Sequence, residues 1–194
     1  MRLKKIFIPI FIMTLIAAAI ITPSIKTSES INQKILRLHI LANSDSSEDQ
    51  NLKLIVRDYI LTNASDIFNG STFEDNLDIA NENTDLFENL ANECLKNNGS
   101  NKTANVEVTK EFFNTRVYDD FILPAGNYNS LKITIGEGNG HNWWCIIFPS
   151  VCLSGCSQSM ADYLSDDEMD LVSGEYTPKF KIVEIYEKLK NRLY

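Results

Sequence analysis

The clearest patterning in the chain lies between Ile35 and Ile60. From Ile35 to Leu41 apolar and polar residues alternate, with Leu36, Leu38 and Ile40 on one face and Arg37 and His39 on the other. A period of two marks a strand with one buried face. Asn43-Ser44-Asp45-Ser46-Ser47 then supplies turn and cap residues, and Ser47 with Gln50 three positions later fits a capping box. Leu52, Ile55, Val56, Tyr59 and Ile60 follow at helical spacing. The pattern predicts a strand that leads directly into a capped helix.

Gly70 and Ser71 break that pattern, and a second helix is expected from about Thr72 to Asn97. Phe73, Leu77, Ala80, Phe87, Leu90, Ala91 and Cys94 carry its apolar repeat. Asn76, Asn81, Asn83, Asn89 and Asn92 lower its propensity and allow a break near the middle. Four strands are expected next, over Val106–Phe113, Arg116–Leu123, Tyr128–Ile135 and Trp143–Phe148. Leu123-Pro124-Ala125-Gly126 has the residues of a type I turn. Leu131, Ile133 and Ile135 alternate with Ser130, Lys132 and Thr134, as in a sheet with one wet face. The last strand is apolar throughout and is expected at the centre of the sheet. Residues 154–177 form an acidic loop with room for one short helix. Thr177-Pro178 opens a C-terminal helix over 178–194, with Pro at its first position. Its expected core stripe is Ile182, Ile185, Tyr186, Leu189 and Leu193. The elements sum to an α+β fold: one domain over 34–194, with an antiparallel-rich sheet of about five strands covered by two to three helices.

The first 22 residues stand apart from this domain. Arg2, Lys4 and Lys5 precede an uncharged apolar run from Ile6 to Thr22. Its length lies between a secretory h-region and a full membrane span of about 20 residues. Ala17, Ala18 and Ala19 supply small residues for a signal-peptidase cut, so residues 1–22 read as a signal peptide or, alternatively, an uncleaved anchor. The basic head stays on the cytoplasmic side in either case, which exports the rest. Residues 23–33 are polar and read as a linker.

Charge narrows the partners. The chain has 18 Lys+Arg against 26 Asp+Glu, a net of −8; three of the cations and none of the acids precede residue 23, so the exported part carries −11. That excess argues against nucleic acid and anionic lipid surfaces, and leaves membrane contact to the N-terminal segment alone. The cysteines are Cys94, Cys145, Cys152 and Cys156. Export favours a disulfide among Cys145, Cys152 and Cys156; Cys145–Cys152 and Cys152–Cys156 are rival pairings. With no C-x-x-C pair and only His39 and His141, the chain offers no zinc-ligand spacing, and neither a metal nor another cofactor is expected.

Four features could carry chemistry. Gly136-Glu137-Gly138-Asn139-Gly140 has the look of a phosphate loop, but a strand-like run follows it where an anion needs a helix N-terminus. A hairpin loop is the plainer reading. Cys145 with His39 or His141 would make a thiolate–imidazole nucleophile, the basis of a reading as an exported cysteine hydrolase. A cysteine in an apolar strand is equally a small buried hydrophobe. Trp143 and Trp144, as neighbours in a strand, face opposite sides of the sheet; one enters the core and the other needs a helix or a partner as cover. Asp45, Asp49, Arg57 and Asp58 read first as cap and surface charges.

Two stretches taken together resemble the stage II sporulation protein R family. His39-Ile40-Leu41-Ala42-Asn43-Ser44-Asp45, with Asp49-Gln50, Lys53, Val56, Arg57 and Asp58, resembles its first motif. Gly136 through Cys152, with Arg116-Val117-Tyr118 and the Leu-Pro-Ala-Gly turn upstream, resembles its second. The resemblance implies a signal and no reaction. Such proteins are made in the forespore and exported into the space between forespore and mother cell. There they are thought to trigger a membrane-embedded aspartic protease that processes pro-sigma-E. It implies no catalytic residues. The contact surface expected for such an activator draws on His39, Asn43, Asp45, Arg57, Asn142, Trp143 and Trp144.

Overall fold

The computed structural model describes residues 11, 19, 22–64, 67–118, 121–149, 160–174 and 178–193. The apolar run at 6–22 therefore lies almost wholly outside the described residues, as do Cys152, Cys156 and both ends of the acidic loop, 154–159 and 175–177. No helix among the described residues is long and apolar enough to cross a membrane. The chain forms two compact units: one of Gln33–Glu111 and Asn127–Tyr163, the other of Met1–Asn32, Phe112–Gly126 and Leu164–Tyr194.

The first of these holds β1 (Leu36–Leu41), α2 (Ser47–Ala64), α3 (Phe73–Glu82), α4 (Thr84–Asn97) and most of β2 (Ala104–Phe113) and β5 (Gly126–Ile135). It also holds β6 (Asn142–Phe148) and a 3-10 turn at Met160–Asp162. The strands form a four-stranded sheet in the order β2-β5-β1-β6. β1 runs parallel to β5 and antiparallel to β6. The sheet is thus mixed, where an antiparallel-rich one was expected. Alternation reports which face is buried and says nothing of strand direction, and the helices after β1 supply the crossover that a parallel pair needs. β6, expected at the centre, is an edge strand of this sheet. Its apolar run reflects burial of Cys145–Phe148 on both faces, a separate matter from the number of hydrogen-bonded neighbours.

The dry face of the sheet carries Leu36, Leu38, Ile40, Leu131, Ile133 and Cys145. It packs against Leu52, Val56 and Ile60 of α2 and Phe87, Ala91 and Leu95 of α4. The strand and helix expected over residues 35–60 are both present. The cap falls one residue earlier than expected: Ser46 Oγ accepts from the Asp49 amide at 3.1 Å, and Gln50 turns instead to the Ser44 carbonyl. The break foreseen in the second helix falls at Asn83, which separates α3 from α4; Thr72 and Asp75 form the capping box of α3.

The other unit holds α1, helical over residues 22–32, where a linker was expected. Ser28, Ile31 and Asn32 are buried there, so polar composition in this stretch reflects a helix packed on one side. The stretch expected as one strand at 116–123 is a two-stranded ribbon, β3 (Arg116–Val117) against β4 (Ile122–Leu123). The short helix expected in the acidic stretch is α5 (Asp166–Val172), which begins with a Ser165–Glu168 capping box and packs on β4. Ser30 Oγ donates to Glu168 at 2.6 Å, tying α1 to that cap. The C-terminal helix is present as α6 (Pro178–Leu193), but it is turned over relative to expectation. Phe180 and Val183 are buried, with Glu187 beside them. Ile182, Ile185, Tyr186, Leu189 and Leu193, expected in the core, are exposed.

Candidate functional site

The two sequence motifs meet at the C-terminal end of β1. Because β1 lies between β5 and β6, the Gly136–His141 connection must pass over the end of β1. It is therefore a crossing loop and not the hairpin expected. Backbone bonds hold it down: Asn139 N donates to Asn43 O at 3.1 Å and Gly140 N to Ala42 O at 2.9 Å. The glycines are what let it approach so closely. A Cβ on Gly140 would sit 2.2 Å from the Ser44 carbonyl oxygen, and Gly136 has φ +57 with Asn43 Oδ1 2.3 Å from its would-be Cβ. Close backbone contact between two turns accounts for the glycines without a phosphate.

Side chains of the first motif complete the junction. Asn43 Oδ1 accepts from the Glu137 amide at 3.1 Å. Asp45 accepts from the His141 amide at 2.7 Å and contacts the His141 ring nitrogen Nδ1 at 2.5 Å. Both partners are exposed, 56% for the Asp45 side chain and 78% for His141. The hydrogen bond from His141 holds the Asp45 carboxyl below its ordinary range. Beneath this pair Asp49 is buried and accepts from Asn43 Nδ2 at 2.8 Å and Ser44 Oγ at 2.5 Å. Lys102 Nζ lies 3.1 Å from its other oxygen. The bonds from Asn43 and Ser44, aided by Lys102, pull the Asp49 carboxyl down to about 2. Lys53, buried, donates to Gln50 at 2.7 Å and to the His141 carbonyl at 2.9 Å, and burial lowers its affinity for the proton. Charged groups out of water persist only with such partners.

The remaining expected site residues divide between the two sheet faces. On the polar face His39 stacks on Trp144, its partner in register, with ring centroids 3.7 Å apart. His39 Nε2 meets Asn142 Oδ1 at 2.9 Å and Nδ1 meets Glu111 at 2.9 Å. Ser130 Oγ donates to the same Glu111 carboxylate. Burial alone would raise the Glu111 pKa; the bonds from His39 and Ser130 outweigh it and hold the group below its ordinary value. On the dry face Trp143 is half-buried against the core, with the Arg57 guanidinium 4.3 Å above its ring centroid. Arg57 also donates to Asp58 at 2.7 Å. The structure thus brings His39, Asn142 and Trp144 into one cluster, Asn43 and Asp45 into the junction, and Arg57 with Trp143 into a third contact.

The cysteine-nucleophile reading does not fit this geometry. Cys145 is disulfide-bonded and lies on the face opposite His39. Its thiol is therefore not available for the cysteine-hydrolase reading. Cys94 is free and buried, while Cys152 and Cys156, expected as pairing candidates, lie outside the described residues. No group of three His, Cys, Asp or Glu among the described residues could hold a metal ion.

Sequence reasoning missed Glu111, Ser130 and Lys102. Glu111 comes from β2, Ser130 from β5 and Lys102 from the loop before β2, so their partners become neighbours only through the strand order β2-β5-β1 and the folded loop.

Comparison with known proteins bears on the same residues. The chain is 32% identical over 177 residues to the stage II sporulation protein R of Bacillus subtilis (strain 168), covering 85% of this chain and 78% of that protein. No solved structure matches it. A family profile, Stage II sporulation protein R (spore_II_R), matches residues 32–158, which span β1 through β6 and hence both halves of the junction. The chain belongs to the stage II sporulation protein R family.

Proposed function

We propose that this protein is an exported sporulation signal that activates, by binding, a membrane-embedded aspartic protease which processes pro-sigma-E. The observation that carries the reading is the family match across both motifs, together with their convergence on one partly exposed surface. Asp45, His141 and Asn142 stand exposed on a junction fixed from below by Asp49 and Lys53. A rigid polar surface of this kind suits recognition, because little ordering entropy remains to be lost on binding. Activation follows if the protease binds it more tightly in its active arrangement than in its resting one.

Reconstitution in a non-sporulating bacterial host tests this directly. The protease and pro-sigma-E are expressed with and without this chain, and the pro-sequence is followed by immunoblot. Processing that depends on the chain and on its residues 1–22 is the expected result. Unprocessed pro-sigma-E in the presence of folded, exported chain would remove the proposal.

A further inference from the structure

Among the described residues eight large apolar side chains are exposed, and five of them lie on α6. They are Ile182, Ile185, Tyr186, Leu189 and Leu193, with Ile185 at 51%, Leu189 at 56% and Leu193 at 79%. At about 100° per residue they fall in one stripe, opposite the buried Phe180, Val183 and Glu187. So concentrated an apolar face on one element marks an interaction surface.

The charges around the stripe identify its occupant. Lys179 and Lys190 lie along one edge, and Lys181, Lys188 and Arg192 along the other. Glu187 falls on the far side, and Glu184 sits beside one cationic edge, where Lys188 reaches it at 2.6 Å and Lys181 at 3.4 Å while both lysines stay exposed. Five cations against two acids make α6 basic within a chain whose net charge is −8. Long cationic side chains that border an apolar stripe can reach outward to anionic headgroups while the stripe enters the acyl boundary. Two other occupants fit worse. A second copy paired face to face would set these cationic edges against each other. The chain's own apolar run at 6–22 brings three more cations and no acid.

The geometry points to α6 as an interfacial helix, and we propose that it docks on the surface of an anionic lipid bilayer. This adds a second membrane contact to the one expected of the N-terminal segment. It also corrects, for this helix, the exclusion of anionic lipid drawn from net charge. The helix lies outside the residues matched by the family profile, and the inference does not depend on protease activation. Lys190 joins α6 to Glu29 of α1 at 2.5 Å, so the docking face belongs to the same unit as the segment leading out of the apolar run.

The test uses the full chain with an environment-sensitive fluorescent amino acid placed biosynthetically at position 189. It is reconstituted into vesicles of phosphatidylcholine, and into an equal mixture with phosphatidylglycerol. Docking predicts a blue shift, with quenching by spin labels at headgroup depth, in the anionic vesicles. Neutralising three flanking cations (K181Q, K188Q, R192Q) is expected to weaken the docking equilibrium about 100-fold. Ile185→Glu, at a solvent-exposed position, is expected to abolish the shift while the unfolding midpoint stays put. A water-like spectrum in anionic vesicles overturns the proposal. So do a shift already present without lipid, which would place the N-terminal run on the stripe, and one that follows protein concentration, which would place a second copy there. Equal shifts in both vesicle types overturn the assignment to anionic lipid.

Discussion

Asp49 illustrates how one buried carboxylate fixes the candidate surface. Its oxygens satisfy Asn43, Ser44 and Lys102, and its amide is capped by Ser46, so a single side chain holds the β1–α2 turn in shape. With the folded carboxyl held at about 2 and the free one at 3.8, ionised Asp49 contributes about 2 kcal/mol at neutral pH. A depressed pKa gives stability that is present above the unfolded value and lost as pH falls through the folded one. Asp49→Asn is therefore expected to lower urea-unfolding stability by about 2 kcal/mol at pH 7. The deficit should shrink as pH falls from about 4 toward about 2. Urea titrations of both proteins across that range check it; a deficit unchanged with pH would mean that shape and not charge matters here. In the sequence Asp49 read as a cap charge among others, because a cap's acceptors are visible locally while its partners Asn43 and Lys102 become neighbours only after folding.

Among the elements, most strand and helix identities were legible, though not α1, expected as a linker, nor the β3–β4 ribbon, expected as one strand; the orientations were not. The first strand and the helix after it stand where periodicity placed them, the helix from Pro178 where its capping residues did, and the break that the asparagines allowed falls at Asn83. What periodicity cannot supply is a choice between two faces that both contain apolar residues. On α6 the more apolar stripe is the exposed one, and the buried stripe includes Glu187. Val183→Ala should thus cost about 2 kcal/mol through the cavity it leaves, whereas Ile185→Ala should change stability by less than about 0.5 kcal/mol. Equilibrium unfolding of the two variants distinguishes this orientation from its reverse. The crossing loop was hidden for a related reason. Its glycines suggested either a phosphate or a hairpin, because only the strand order β2-β5-β1-β6 reveals that it must pass over β1. Gly140→Ala, driving a Cβ toward the Ser44 carbonyl, should destabilise the protein by about 1–3 kcal/mol. An unperturbed midpoint would show that the loop can lift away.

At the scale of the whole molecule, the seven residues expected to bind a partner separate into those that support the fold and those that present a surface. His39 is buried between Trp144, Glu111 and Asn142, and Arg57 covers the ring of Trp143, so changes at these positions act on stability before they act on any partner. Asp45 differs, and so does His141, which was not among the seven but which the structure places beside it. They are exposed, a surface contact of this kind contributes little to folding, and they come one from each motif. Asp45→Asn keeps an acceptor for the His141 amide while removing the charge, and His141→Gln keeps a polar side chain while removing the ring. Neither is expected to move the unfolding midpoint or the exported amount, and each is expected to lower pro-sigma-E processing in the reconstituted host. His39→Ala should reduce both the midpoint and processing. If Asp45→Asn and His141→Gln leave processing intact while the Trp144→Ala protein loses it at normal abundance, the recognition surface lies on the polar sheet face instead. The pattern across these variants thus decides where on the molecule the signal is read.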